Sequence, residues 1–158
     1  MSNAPPGEPG ARWEGRRKAR EAALQMLYLA EVGGVPAGAA AASHPHVGDA
    51  EAIPLDDRAR AYADTLMRGA WDSRDALDGY IADAARNWRI ERLAMVDRQL
   101  LRLAIHELIA FPGTPPRVVI DEAIELARMY SGDEATKFVN GVLDAVYRKL
   151  KEEGKIVE

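Results

Sequence analysis

The chain of 158 residues contains no cysteine. This absence excludes a disulfide framework, a thiolate zinc site, an iron–sulfur cluster and a cysteine nucleophile. The chain also has no uninterrupted apolar run near the ~20 residues that span a bilayer, and its first ten residues lack the apolar segment of a signal peptide. We therefore expect a soluble cytoplasmic protein with no membrane partner.

Signatures of enzymes and metal sites are also scarce. A phosphate-binding Gly-x-x-x-x-Gly-Lys-Ser/Thr loop is absent. Two of the three histidines, His44 and His46, stand in a Gly/Ala/Pro-rich segment without a third ligand at helical spacing. His106 lies on a predicted helix beside Glu107, where a structural role is the favoured interpretation. The sequence therefore predicts no catalytic residue, no cofactor and no metal site.

The composition is that of a folded globular domain. Hydrophobic residues make up 47% of the chain and charged residues 29%, and the length suits one domain. A formal net charge of -4 argues against a uniformly basic nucleic-acid binder but allows a local basic patch. We expect a flexible N-terminal tail over residues 1–15, a single helical domain over 16–150 and a C-terminal tail over 151–158. Within the domain, residues 33–54 lose all periodicity and predict a long loop.

Apolar residues recur at steps of three and four over most of the domain, which is the repeat of one face of an α-helix. Since no segment alternates with period two, the predicted fold is all-α. The widest apolar face belongs to residues 96–110, which predicts a central, largely buried helix. The pair Asp72-Ser73 is the predicted cap of the third helix, and Asp133 that of the sixth, with a capping box formed by Ser131 and Glu134. The six predicted helices cover about residues 16–31, 56–71, 77–84, 96–110, 118–130 and 135–150.

Basic residues cluster at the start of the first predicted helix. Two of them, four residues apart, share one helix face while others fan around the first turn, so the group can follow a phosphate backbone. The alternative is a solvated helix start whose cations are balanced by Glu14 and Glu21, and spacing alone leaves both interpretations open. The cluster consists of Arg12, Arg16, Arg17, Lys18 and Arg20.

A second candidate segment lies at the start of the last predicted helix and runs from Lys137 to Gly141. Phe138 is either a core residue or a stacking platform for an unpaired base, with Lys137 and Asn140 beside it. Its position alone favours the core. Because glycine inside a helix costs up to ~1 kcal/mol relative to alanine, Gly141 predicts close packing of another helix at that point.

Four ordered stretches of the chain resemble the NusB family of bacterial transcription antitermination factors. The resemblance implies an all-helical fold of two small packed bundles with six to seven helices, and no enzymatic activity. It also implies binding of boxA-type single-stranded RNA together with NusE, a ribosomal protein of the small subunit, within the antitermination complex with RNA polymerase at ribosomal RNA operons. The stretches are RRKAREAALQMLY (16–28), WRIERL (88–93) with VDR and LRLAIHEL (96–108), PRVVIDEAIELA (116–127) and KFVNGVLD (137–144).

The resemblance assigns roles to individual positions. It implies two RNA-contacting segments, and it shifts the interpretation of Phe138 from the core toward RNA contact. It implies that Tyr28 and Asp97 lie near the NusE-binding surface. The implied RNA contacts are Arg16, Arg17, Lys18 and Arg20 in the first segment and Lys137, Phe138 and Asn140 in the second.

Two departures from the family pattern accompany this resemblance. The Gly/Ala/Pro segment replaces a more helix-like connection, and Ala94-Met95 stands where a small polar residue and proline are common. The family includes monomers and dimers, so a homodimer stays open. The rival interpretation is a purely protein–protein helical scaffold or homodimer without RNA binding, whose basic start is only a solvated face.

Overall fold

The structure, a computed structural model, describes residues 9–34, 55–86 and 93–156, with side chains from Gly15 onward in the first range. These ranges contain six α-helices and no strand, which confirms the predicted all-α class. The helices are α1 (Pro9–Gly33), α2 (Asp57–Asp72), α3 (Arg74–Ala84), α4 (Met95–Ala110), α5 (Pro116–Ser131) and α6 (Asp133–Glu152).

The chain divides into two compact units, residues 1–68 and 69–158. In the first unit, alanine side chains make up much of the core, and their small size leaves the larger leucine and methionine side chains to fill the remaining space. The buried apolar residues of this unit are Ala19, Ala22, Ala23, Leu24, Met26, Leu27 and Ala30 of α1 and Ala59, Ala63, Leu66 and Met67 of α2.

In the second unit, α4 contacts α3, α5 and α6, and α6 also contacts α3 and α5. Most of α4 is buried, including its polar residues Gln99, Arg102 and Glu107, which agrees with the predicted central helix. The other helices each bury one apolar stripe against it. The largest fully buried side chains of the unit are Leu77, Ile81, Leu100, Leu101, Ile105, Ile120 and Leu143.

Both termini of the described chain are more ordered than the sequence predicts. Helix α1 begins at Pro9, so residues 9–15 are helical and the expected tail over 1–15 is wrong for this part. Proline fits the first helical position because its fixed φ suits the helix and its missing N–H would have no helical partner there. At the other end, α6 extends to Glu152 and Ile156 is buried, which corrects the expected tail over 151–158.

Of the two predicted caps, the one before α3 is confirmed in position and the one before α6 is wrong. Ser73 occupies the cap position of α3, but its side chain makes no capping hydrogen bond. The cap residue of α6 is Gly132, whose φ of 94° lets α6 follow α5 after a single residue, and Asp133 lies in the first turn of α6. Most of the segment predicted as a long loop lies outside the described residues, as do residues 1–8.

Candidate nucleic-acid interface

The basic start of α1 keeps part of its charge at the surface. Arg17 is exposed, and Arg16 and Lys18 are half-buried. The guanidinium carbon of Arg16 lies 4.5 Å from the centroid of the Tyr62 ring in α2, a cation–π geometry. This contact holds Arg16 against the first unit while part of its side chain stays accessible.

Arg20 differs from the other cations of this segment. Arg20 is only 3% exposed, and Ala19 and Ala23 beside it are fully buried. Arg20 therefore lies on the side of α1 that faces the core of the first unit. A buried guanidinium needs polar partners, and Arg20 has interactions within the protein. Arg16 and Arg20 therefore share a helix face on which Arg16 is partly accessible and Arg20 is buried, so Arg20 anchors the segment from the core side.

The second candidate segment lies in the first turns of α6. Lys137 and Asn140 are exposed, Val139 is fully buried, and Phe138 is half-buried between them. Sequence reasoning offered a core or a surface role for the ring, and the structure places it at the border. The residue is thus partly covered by the protein and partly accessible.

The prediction that Gly141 permits close helix packing is wrong. The residue is exposed, and no atom of another element among the described residues lies within 4 Å of the point where a Cβ would stand. Space for a side chain therefore exists at this position of α6.

The two residues expected near a protein partner lie in different surroundings. Tyr28 is 44% exposed, and Val32, one turn later on the same face of α1, is 52% exposed. Asp97, in the first turn of α4, is only 9% exposed and its Oδ1 accepts a hydrogen bond of 2.6 Å from the Ser131 hydroxyl. That bond ties α4 to the end of α5 and explains why Ser131 does not form the predicted capping box with Glu134.

An ion-pair cluster between α3 and α4 was not found from the sequence. The Arg102 Nε and Nη2 donate to the two oxygens of Asp78 at 2.8 and 2.7 Å, and Arg98 Nη2 lies 3.3 Å from Asp78 Oδ2. Burial raises the pKa of Asp78, but the hydrogen bonds and charges of the two arginines outweigh it and hold that pKa below its usual value. The sequence feature that could have indicated this cluster is the i, i+4 spacing of Arg98 and Arg102, which places both on one face of α4.

A cleft of about 410 Å³ lies between α3 and the second half of α6. Asp83 stands in it between two cations, with Lys149 Nζ at 3.7 Å and Arg86 Nη2 at 3.9 Å. The Asp83 carboxylate is thus paired with cations inside the cleft, which Arg148 also lines.

Within the residues that the structure describes, no three His, Cys, Asp or Glu side chains are grouped as a metal ion requires. His44 and His46 lie outside those residues. Over the same ranges, none of the helices combines the length and the apolar character of a membrane span.

Comparison with known proteins supports the resemblance found in the sequence. The NusB family profile matches residues 17–148. The transcription antitermination protein NusB of Symbiobacterium thermophilum is 40% identical over 139 residues, which cover 86% of this chain and 91% of that protein. The NusB of Sorangium cellulosum is 44% identical over 135 residues, covering 85% and 93%.

Solved structures agree with these sequence matches. The solution structure of NusB from Aquifex aeolicus superposes with a TM-score of 0.74 at 30% identity, covering 91% of this chain and 95% of that chain. A crystal structure of the antitermination factors NusB and NusE in complex with dsRNA contains a chain that superposes with a TM-score of 0.73 at 29% identity, covering 86% and 98%.

The family profile spans both compact units, the two relatives match over nearly their whole length, and the helices superpose on solved NusB structures. This agreement of sequence and fold shows that the chain belongs to the NusB family of transcription antitermination proteins.

Proposed function

We propose that this protein is a transcription antitermination adaptor that binds boxA-type single-stranded RNA together with ribosomal protein NusE during transcription of ribosomal RNA operons. The observation that carries the proposal is that, in the first turns of α6, Lys137 and Asn140 are exposed and Phe138 is half-buried. These residues match the RNA-contacting segment that the family resemblance implies. Family membership and the solved complex of a NusB with NusE and dsRNA support the same function.

The two RNA-binding elements supply different interactions. Arg16, Arg17 and Lys18 contribute positive charge to the phosphates, which raises affinity for any sequence. Phe138 offers a ring on which a base can stack, and the exposed Asn140 amide can hydrogen-bond a base edge. Arg20 supports the first element from the core without contacting RNA.

The NusE-binding surface uses other residues. The exposed Tyr28 and Val32 give α1 an apolar strip of the kind that protein partners bury. Asp97 lies in the first turn of α4 and is 9% exposed. The adaptor acts by binding alone, in the cytoplasm, as part of the complex with RNA polymerase.

Electrophoretic mobility of a boxA RNA and of a scrambled RNA, with and without NusE, tests this function. We expect the full chain to retard boxA RNA more strongly than the scrambled RNA, and NusE to increase the difference. A protein that binds NusE or itself but shifts neither RNA would instead be the protein–protein scaffold.

A further inference from the structure

One face of α6 carries polar and charged residues along most of its length. From Lys137 to Lys151, at 3.6 residues per turn, six residues fall within a stripe about 100° wide. None of them is apolar, and five of the six are exposed. These residues, which we call the α6 stripe, are Lys137, Asn140, Gly141, Asp144, Arg148 and Lys151.

The charge of the α6 stripe is opposite in sign to that of the whole chain. It has three cations and one carboxylate, whereas the chain carries a net charge of -4. Asp133, one turn before Lys137 on the same face, adds a carboxylate whose Oδ1 lies 3.3 Å from Arg128 Nε. The Asp144 carboxylate lies 4.0 Å from Arg117 Nη2 of α5, a guanidinium that also pairs with Asp121 at 3.3 Å, so this cation offsets part of the charge of Asp144. The stripe therefore favours a polyanion.

The far end of the α6 stripe carries two cations, Arg148 and Lys151. Arg148 is exposed and makes no hydrogen bond or ion pair with any residue in the described part of the chain. The Lys151 Nζ lies 5.3 Å from the centroid of the Tyr147 ring, which keeps the ammonium on this side of the helix. By contrast, Lys149 lies about 100° away around the helix and faces Asp83 at 3.7 Å.

Gly141 leaves a gap in the middle of the α6 stripe. Glycine weakens a helix by up to ~1 kcal/mol relative to alanine, and the open space around this one shows that the folded chain gains no packing from it. A glycine on an exposed helix face also lets a ligand backbone approach the helix closely. The gap lies between Lys137 and Arg148, on the line that joins them.

From these observations we propose that the bound RNA strand continues along the α6 stripe, over Gly141, to phosphate contacts with Arg148 and Lys151. This inference rests on the proposed RNA-binding function, because the track begins at Lys137. The distance from Lys137 to Lys151 is about 21 Å at the rise of an α-helix. That length accommodates roughly six nucleotides stacked at the ~3.4 Å spacing of one strand. A protein partner fits less well, since the stripe lacks the apolar core of a protein interface.

The test compares two RNAs by fluorescence anisotropy with the full chain. One is a core boxA RNA and the other is the same RNA with six added nucleotides at each end. The variant is Arg148→Gln/Lys151→Gln, and the matched control is Lys149→Gln, which removes an exposed cation of the same helix from outside the stripe. Thermal melting confirms that each variant is folded.

We expect the double variant to bind the core RNA like the parent but to lose the added affinity for the extended RNA. Its log affinity for the extended RNA should depend on log salt with a slope shallower by about 1.4, at roughly 0.7 per lost single-strand contact. The Lys149→Gln protein should match the parent in both respects. If the double variant and the Lys149→Gln control bind the extended RNA equally, the track along α6 is wrong.

A second variant tests the gap itself. Gly141→Gln should melt at or above the temperature of the parent, because glutamine favours the helix and has room there, yet it should bind the extended RNA more weakly. Unchanged binding by a stable Gly141→Gln protein would contradict the close approach. A parent that binds neither RNA would overturn the proposed function as well, whereas a parent that binds both RNAs and loses affinity on Phe138→Ala alone would overturn only the extension.

Discussion

The imidazole of His106 in α4 packs directly on Gly69 in α2. A Cβ placed on Gly69 would overlap the His106 ring, with Cε1 at 2.5 Å and Cδ2 at 3.1 Å. The same ring meets Phe111 edge-on, with centroids 6.2 Å apart and planes at 81°. His106 therefore fills the place of a missing side chain, which is a packing role rather than a catalytic one.

Replacing Gly69 by alanine should destabilise the protein. The added methyl group forces the His106 ring out of its position, a type of overpacking that costs about 1–3 kcal/mol and outweighs the helix propensity of alanine. Urea unfolding of the variant measures the loss. Gly141→Ala is the matched control, because that position is open and alanine should there stabilise the helix by up to ~1 kcal/mol. Equal free energies of unfolding for the two variants would contradict the packing role of Gly69.

His106 should make the protein less stable as the pH falls from 8 to 5. Burial lowers the pKa of His106, although the charge of Glu107 raises it in part. Below the ordinary histidine pKa of about 6.5, the unfolded chain binds a proton that the folded chain does not. The contribution of His106 to stability is thus fully present above its pKa in the unfolded chain. It is lost as the pH falls toward the pKa of His106 in the folded protein. Denaturant titrations of the parent and of His106→Gln should show a smaller pH dependence in the variant, and identical profiles would exclude His106 as the group responsible.

Removing the carboxylate of Asp78 should cost about 3 kcal/mol of unfolding free energy, since it leaves the buried Arg102 guanidinium without its counterion. We expect Asp78→Asn to show this loss in urea unfolding at neutral pH. Because the pKa of Asp78 is lowered on folding, the contribution of the carboxylate is present above its unfolded pKa of about 3.8 and disappears as the pH falls through the folded pKa.

The control for Asp78 is the exposed pair between Arg68 and Asp64, whose contact of 2.8 Å is equally short. Asp64→Asn should change stability by no more than about 1 kcal/mol, because solvent screens an exposed pair. If both substitutions lower the free energy of unfolding equally, burial of Arg102 does not explain the contribution of the Asp78 pair to stability.

The two RNA-binding elements should respond differently to salt. Arg16→Gln/Arg17→Gln should weaken boxA and scrambled RNA alike and flatten the dependence of log affinity on log salt by roughly 0.7 per lost contact. Phe138→Ala should cost about 1–3 kcal/mol of boxA binding with little change in that slope. Titrations at several salt concentrations measure both effects. A Phe138→Ala protein that melts far below the parent but whose folded fraction binds boxA normally would show that the ring serves the core alone.

Reversing the charge of Asp97 should weaken NusE binding more than RNA binding by the free protein. Asp97→Lys also removes the hydrogen bond from Ser131, which for a charged acceptor contributes about 1.5–3 kcal/mol. Ser131→Ala is therefore the control, since it breaks the same bond and leaves the carboxylate in place. If Ser131→Ala weakens NusE binding as much as Asp97→Lys does, Asp97 acts through the fold and not at the partner surface.

Sequence reasoning located the helices well because a helix is encoded in neighbours three and four residues apart. The apolar spacing from Val118 to Tyr130 and from Ala135 to Leu150 predicted α5 and α6 to within a few residues. The sequence did not predict that α1 begins at Pro9, because proline and glycine usually interrupt helices. The start of a helix tolerates both residues.

The candidate site was predicted in its residue types but not in its geometry. Helical spacing grouped Arg16 with Arg20, yet only burial against the first unit separates the accessible cation from the core one. The same spacing gave no sign that Gly141 faces open space, because an exposed glycine and a packed glycine have the same local sequence signature.

The sequence by itself determined the all-α class, the helix register and the family, since all three depend on residues close together along the chain or on ordered motifs. The tertiary structure decided which distant side chains meet. Ser131 bonds Asp97 rather than capping its own neighbour, and His106 finds Gly69 in another helix. The packing of the helices determines these partners. A buried polar group is stable only where a neighbouring helix provides a hydrogen-bond partner, and a buried ring only where a neighbouring helix leaves space for it.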